Sequence, residues 1–293
     1  MRVDRILALS FFHPLRKIIS RSIGIRIPIL MYHSISDETE SGHPYFRINT
    51  SPKRFAEQMR LMKENSYKVV SLTDAADILR KASTVPDRLA DHGSHRRYAV
   101  VTFDDGFADF RTMAFPILAD HGFSATVFLP TGFISDTGST LKGKMCLRWD
   151  EVGELAKSGV RFGSHTVSHP KLRDIPWDQV EKELRESKNI LEDRLGTEAE
   201  SFSYPYAFPE EDRRFRTRLR ASLGELGYSN GVTTSIGTAA GGDDRLFLKR
   251  IPVNSEDDPA LFLAKLEGGY DWIHGLQYGF KVLKRSLNRN GTA

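Results

Sequence analysis

Short apolar runs alternate with amphipathic stretches along most of this chain. Ile27–Tyr32 is too short and too uniformly apolar for a helix and reads as a buried strand. Ser51-Pro52 opens a helix that sets Phe55, Met59 and Met62 on one face. Val69-Val70 reads as a strand, with Thr73 capping the helix behind it. Tyr98–Phe103 is a strand, Ala108–His121 a helix broken at Pro116, and Ala125–Leu129 a strand. Trp149–Ser158 is helical, Val160–Gly163 extended, and Trp177–Leu195 the clearest helix. Ser201–Tyr204, Gly231–Thr234 and Leu246–Val253 add strands, with a charged helix over residues 210–226. Strand, helix, strand at this spacing predicts parallel βαβ units closing into an α/β barrel or partial barrel.

The two ends read differently. Pro14 to Ile23 predicts a short helix stopped by Gly24, with Leu15, Ile18, Ile19 and Ile23 on one face and Arg16, Lys17 and Arg21 opposite. Trp272, Ile273, Leu276, Phe280, Leu283 and Leu287 share one face of a C-terminal helix, with Gln277, Lys281, Lys284 and Arg285 largely opposite. Packing on the barrel and contact with a membrane interface would produce the same stripes. His13, Pro14, Arg16 and Lys17 interrupt any export-signal core, so the expectation is a cytoplasmic protein, peripheral at the inner membrane.

Composition narrows the chemistry. The 293 residues are 40% hydrophobic and 27% charged, a globular balance, and no apolar run of membrane-spanning length occurs. The net charge of +4 is carried by the ends: Arg2, Arg5, Arg16, Lys17, Arg21 and Arg26 face Asp4 alone, and residues 281–293 hold cations without an acid. The body between them is mildly acidic, which argues against a nucleic-acid partner and leaves an anionic membrane surface open. Cys146 is the only cysteine, so a metal site here must be built from histidines and carboxylates.

In a barrel of this kind chemistry collects where the strands end. Four groups stand directly after predicted strands: His33, Asp104-Asp105-Gly106, His165 with His169, and Tyr204-Pro205-Tyr206. Each has a plainer reading. Asp-Gly is a turn signal, paired histidines occur in solvated loops, and Trp149 and Tyr206 could be core aromatics. His43, His92, His95 and His121 read as solvated. Adjacent carboxylates, however, are costly without a cation or proton between them. Two histidines and one carboxylate form a catalytic zinc set with an open position, and the second carboxylate is then a spare general base.

Thr102-Phe103-Asp104-Asp105-Gly106 and Ser164-His165-Thr166-Val167-Ser168-His169-Pro170 resemble the first two motifs of the polysaccharide deacetylases, the NodB-homology domain of carbohydrate esterase family 4. The resemblance covers about residues 27–255, with residues 1–26 and 256–293 as basic amphipathic flanks. It implies a distorted, incomplete (β/α) barrel, a divalent metal such as zinc or cobalt, and removal of N-acetyl groups from a glycan. It also implies that Asp105, His165 and His169 hold the metal and that Asp104 is the base. Ser203-Tyr204-Pro205-Tyr206 matches the proline-tyrosine half of the third motif, where the Tyr206 N–H would stabilise an oxyanion. Trp149, Pro205, Tyr206 and Arg250 are the implied substrate contacts.

Two departures stand out. Ser203 occupies the place of the arginine that orients the base, and Arg250 is the candidate replacement. The late Leu-x-His motif is absent, since only His274 follows His169, in an amphipathic helix. Ile29-Leu30-Met31-Tyr32-His33-Ser34-Ile35 instead resembles the opening of a permuted branch of the family, seen among biofilm-polysaccharide deacetylases. That assigns the catalytic acid to His33. A non-sugar amidohydrolase of the same fold and an inactive sugar-binding module are the rival readings. Sequence leaves the oligomeric state open.

Overall fold

The computed structural model describes residues 2–19, 24–38, 40–41, 47–84 and 97–290. Arg21, Ile23, His43, His92 and His95, read above from sequence, lie outside these residues. The centre is a ring of parallel strands: β1 (Ile29–Tyr32), β2 (Arg97–Phe103), β3 (Thr126–Leu129), β4 (Arg161–Ser164), β5 (Ser201–Ser203), β6 (Asn230–Ile236) and β7 (Leu248–Pro252). Each pairs with the next in chain order, and β7 returns to β1 with Ile251 opposite Leu30. The ring therefore closes one strand short of a complete eight-stranded barrel. Tyr67–Val69 pairs only with the first residues of β2.

Period-two alternation sorts the side chains of β2. Val101 and Phe103 pack outward with Phe55 and Met59 of α3 (Pro52–Glu64), Tyr32 and Leu129. Thr102 points the other way, where its hydroxyl donates to the Leu30 carbonyl at 2.7 Å. Two further apolar groups complete the core. One lies under α4 (Leu72–Thr84), with Leu72, Ala75 and Leu79 against Ile29, Val100 and Phe128. The other joins Leu184 of α7 (Trp177–Leu195) and Leu219 of α8 (Arg213–Glu225) to Phe202 and Tyr204.

Helix starts follow the capping residues. Ser51 accepts from the Arg54 N–H at 3.2 Å and Asp212 from the Phe215 N–H at 3.3 Å. The cap of α4 is Ser71, which accepts from the Asp74 N–H; the Thr73 hydroxyl donates instead to Glu200. The two prolines that fall inside continuous helical stretches, Pro116 and Pro14, follow a π-helical turn. Pro116 comes after the turn Phe110–Ala114 and sits in α5 (Phe115–His121). Pro14 comes after the turn Ala8–Phe12. A wider turn relieves the clash between the proline ring and the carbonyl four residues back. The N-terminal helix accordingly begins at α1 (Val3–Leu7) and runs on through α2 (His13–Ile19), eleven residues ahead of the proline start that its sequence suggested.

The outer wall is completed by α6 (Trp149–Lys157), α9 (Pro259–Leu266) and α10 (Ile273–Asn290). A buried ion pair, Lys265 to Asp257 at 2.7 Å, docks α9, and Arg2 reaches the same Asp257 at 3.0 Å. Neither α9 nor the small hairpin Thr140–Leu141 with Lys144–Met145 was anticipated from the sequence pattern.

Close approach demands glycine in β6. A Cβ on Gly231 would lie 2.5 Å from the Leu246 carbonyl oxygen and 3.3 Å from that of Phe202, both backbone atoms that cannot turn away. Gly231→Ala is expected to cost about 1–3 kcal/mol through forced backbone shifts, read as a lower midpoint in urea denaturation with an unchanged slope.

Candidate active site

The turn after β2 separates two neighbouring carboxylates. Asp105 and Gly106 both take left-handed backbone angles, φ 70° and 61°. A Cβ on Gly106 would meet Leu129 Cδ2 at 2.7 Å, so this position needs glycine on both counts. The Asp104 N–H donates to the Tyr32 carbonyl at 3.0 Å, which ties the turn to β1. Asp104 then points into the ring, and Asp105 faces the histidine loop that follows β4.

Asp104 is gripped from the far side of the barrel. Arg250 on β7 donates to Oδ1 at 2.8 Å and to Oδ2 at 2.7 Å, a bidentate pair. The same guanidinium donates to Thr102 Oγ1, Ser203 Oγ and the Thr233 carbonyl, and the Ser203 hydroxyl donates to Asp104 at 3.2 Å. All of these groups are buried. Burial alone would raise the Asp104 carboxyl, but the Arg250 charge and hydrogen bonds, aided by His165, hold it well below the usual carboxylate range. The Asp104 carboxyl is thus ionised at neutral pH. Arg250 is fully buried, which corrects its assignment as a substrate contact: its guanidinium is spent on Asp104, beside the Ser203 hydroxyl.

Asp105, His165 and His169 meet with ligand atoms all within 4.8 Å of one another. His169 Nε2 stands 3.1 Å and His165 Nε2 3.7 Å from Asp105 Oδ1. His165 Nδ1–H donates to the Ser203 carbonyl at 2.7 Å, so its Nε2 lone pair faces the cluster. Burial lowers the His165 pKa to about 4 despite the nearby Asp104 and Asp105 charges, which keeps the ring neutral as a ligand must be. Asp105 Oδ1 is buried and accepts no hydrogen bond. A carboxylate oxygen left in this state, facing two imidazole nitrogens, fits a divalent cation, and the N,N,O donor set suits zinc.

The loop that carries the histidines is strained and braced. Thr166 and His169 take φ of 70° and 53°, and Tyr206 one of 58°. Left-handed angles at a β-branched and two aromatic residues persist only where surroundings enforce them. Glu183 of α7 supplies part of that, accepting from the Val167 and Ser168 N–H groups at 2.7 and 2.9 Å and from the Ser168 hydroxyl at 2.5 Å.

His33 lies half-buried directly after β1. Burial lowers its pKa, opposed by the Asp104 and Asp105 charges that act on it across the mouth. Tyr206 is 41% exposed, its ring 4.6 Å from that of His169, while Pro205 is buried behind it. Pro205 therefore offers no surface to a substrate. Trp149 is buried too, in the main core group under the Arg194 guanidinium, and is a packing residue of α6. His274 pairs with Glu210 on the outer wall.

Lys142 and Glu183 escaped the sequence reading. Lys142 reaches from the small hairpin to Asp105 Oδ2 at 3.1 Å, with its ammonium 5.2 Å from the centre of the Tyr206 ring. Only Lys142-Gly143, a turn signal, marked the place. A cavity of about 600 Å³ opens at the other end of the barrel, lined by Thr126, Arg161 and Ser201 at the starts of β3, β4 and β5. No metal-ligating cluster lies there among the described residues.

The polysaccharide deacetylase family profile matches residues 91–230, a span that ends short of both His33 and Arg250. Among individual relatives, YxkH of Bacillus subtilis (strain 168), named as a polysaccharide deacetylase, is 27% identical over 242 residues, covering 83% of this chain and 76% of that protein. The poly-beta-1,6-N-acetyl-D-glucosamine N-deacetylase of Escherichia coli (strain K12) is 29% identical over 147 residues, which are 47% of this chain and 20% of that protein. The Streptococcus pyogenes deacetylase PplD, solved in complex with acetate, aligns with a TM-score of 0.66 at 26% identity, covering 83% of this chain and 99% of that one.

Removing the Arg250 cation strands a buried carboxylate. Arg250→Met is expected to destabilise the fold by about 3–5 kcal/mol. Arg250→Lys should recover only part of this, since a lysine cannot donate as a fork. Chemical denaturation of both variants checks the order; equal stability of Arg250→Met and the parent would contradict it.

Proposed function

We propose that this chain, whose residues 91–230 match the polysaccharide deacetylase profile and which is 27% identical to YxkH over 83% of its own length, hydrolyses the N-acetyl groups of amino sugars in a glycan with one divalent cation, zinc by donor type. The observation that carries the reading is the pairing of an Asp105–His165–His169 cluster with a neighbouring carboxylate, Asp104, held ionised by Arg250. The name of the Escherichia coli relative specifies a poly-N-acetylglucosamine substrate, and the Streptococcus pyogenes structure holds acetate, the acid this reaction releases. Both support an N-acetylhexosamine glycan as substrate class.

Asp105, His165 and His169 would hold the cation, which when bound supplies Lewis-acid polarisation of the amide carbonyl and a lowered pKa for the attacking water. Asp104 takes the proton of that water as its oxygen bonds to the acetyl carbon. Arg250 and Ser203 keep the carboxylate aimed and charged while it acts, and the buried pair excludes competing water. The Tyr206 N–H donates to the oxygen on which negative charge develops. When the C–N bond breaks, the sugar nitrogen needs a proton, because an amide anion is too poor a leaving group. His33 stands at the same mouth to provide it. Its lowered pKa leaves it neutral at rest, so it takes up a proton from solvent and passes it to the departing amine, while Asp104 returns the proton of the attacking water to solvent.

Acetate release from N-acetylated oligosaccharides tests the reading. Chelation is expected to abolish release, and added zinc or cobalt to restore it. Asp104→Asn should retain metal and lose turnover by roughly 10²–10⁴-fold, the usual weight of a general base. Near-parental rates in that variant would sink the base assignment. His33→Ala, folded and metal-loaded, should also lose most of its turnover; hydrolysis at the parental rate would remove His33 from the mechanism.

A further inference from the structure

The C-terminal helix packs the wrong way round for a simple wall element. Its barrel-facing side is polar over most of its length. Gln277 accepts from the Ile236 N–H at 2.9 Å and donates to the Thr234 carbonyl at 3.0 Å, and His274 pairs with Glu210 at 2.9 Å. Among the described side chains of α10 only Ile273, at its start, is buried, beside Ala8, Ile236, Leu261 and Tyr270. The apolar stripe faces outward instead, with Leu276, Phe280 and Leu283 exposed by 64%, 70% and 58%. Burying such a stripe would stabilise the helix, and no described part of the chain covers it.

The N-terminal helix repeats the arrangement beside it. Its inner side is anchored by Ala8 and by ion pairs of Arg2 with Asp257, Arg5 with Asp258, and His13 with Glu267. Val3, Leu7, Phe11, Leu15 and Ile18 are exposed, Phe11 by 59% and Ile18 by 77%. The two helices join where Phe12 stacks on Trp272, centroids 4.6 Å apart, in a shallow apolar cleft lined by Leu7, Phe11, Phe12, Trp272, Gly275 and Leu276. Their outward stripes therefore share one face.

Charge selects what covers that face. Lys17, exposed although its ammonium stands 3.5 Å from Glu267, and Lys284 lie on the two helices, next in sequence to Ile18 and Leu283 of the apolar stripe. The sequence beyond Leu283 continues with Arg285 and Arg289 and no acid. A second copy of the chain seated here would oppose cations to like cations across the interface. An anionic bilayer surface meets both features, taking aromatic and aliphatic side chains at the acyl boundary and cations at the headgroups. No helix among the described residues is long and apolar enough to cross a membrane, so contact through this face would be lateral.

We propose that the outward face formed jointly by α1–α2 and α10 docks on a bilayer carrying anionic phospholipid headgroups. The docked helix touches the active-site end of the barrel. Gln277 holds the Thr234 carbonyl, and the Thr234 hydroxyl donates to the Tyr206 carbonyl at 2.9 Å. Docking would thus set the catalytic mouth close to the lipid surface, within reach of glycan tethered there or deposited on it.

The test is co-sedimentation of the full chain with vesicles of phosphatidylcholine alone and of phosphatidylcholine with phosphatidylglycerol. The parent is expected to sediment with the anionic vesicles, less so as salt rises. Phe280→Glu with Leu283→Glu should lower the bound fraction roughly tenfold or more, by adding charge and removing apolar contact. Both side chains are mostly exposed and neither belongs to the catalytic cluster, so acetate release from a soluble oligosaccharide should stay at the parental rate. Phe11→Glu repeats the test on the other helix, should the double variant fold poorly. Failure of the parent to bind anionic vesicles, or undiminished binding by both variants, overturns the proposal. So would light scattering that shows a parental dimer which the substitutions convert to monomer.

Discussion

A single guanidinium inside the barrel holds the site together. Arg250 arises on β7 and bonds groups from β2, β5 and β6, so four of the ring's strands converge on one buried cation. A charge in that position is tolerable only with a full set of partners, and the Asp104 carboxylate supplies the decisive ones. The dependence runs both ways. Asp104 stays ionised in the barrel because Arg250 is there, and Arg250 stays buried because Asp104 answers it. The orientation and the charge of the Asp104 carboxylate are consequences of the same pair.

Around this pair the loops are set by strain that neighbouring groups enforce. Left-handed turns at Asp105, Thr166, His169 and Tyr206 aim side chains that a relaxed loop would send elsewhere. Glu183 clamps the histidine loop from α7, and the Ser203 carbonyl fixes which nitrogen of His165 faces Asp105. Ser203 serves twice, its hydroxyl between Arg250 and Asp104 and its carbonyl on His165. A longer side chain at this position would fill the space Arg250 needs, so the serine and the displaced arginine belong to one solution.

The flanking helices obey a different economy. Ion pairs and hydrogen bonds attach them to the barrel, and their apolar side chains point away from it. An amphipathic stripe records that one face is apolar; it does not record which face the protein uses inward. Here Gln277 and His274 find specific partners on the barrel wall, and those contacts rotate α10 so that Leu276, Phe280 and Leu283 face outward.

Most of the architecture is legible in the chain itself, for physical reasons that are local. Apolar runs such as Tyr98–Phe103 and Ala125–Leu129 read as buried strands in an α/β chain, and the helices start where Ser51 and Asp212 can cap them. The carboxylate pair and the histidine pair stand directly after strands, and parallel closure carries strand ends to one rim, so the sequence alone groups Asp104, Asp105, His165, His169 and His33. Long-range geometry decided the rest. Whether Arg250 met a substrate or a buried carboxylate turned on which side of β7 faced the barrel axis. Trp149 and Pro205 lost their place at the mouth because neighbouring elements cover them, while Lys142 and Glu183 reach the site from a hairpin and a helix with no periodicity pointing there. Pattern along a chain reports which side chains want water. Only closure of the barrel determines which buried groups are forced to answer one another's charge.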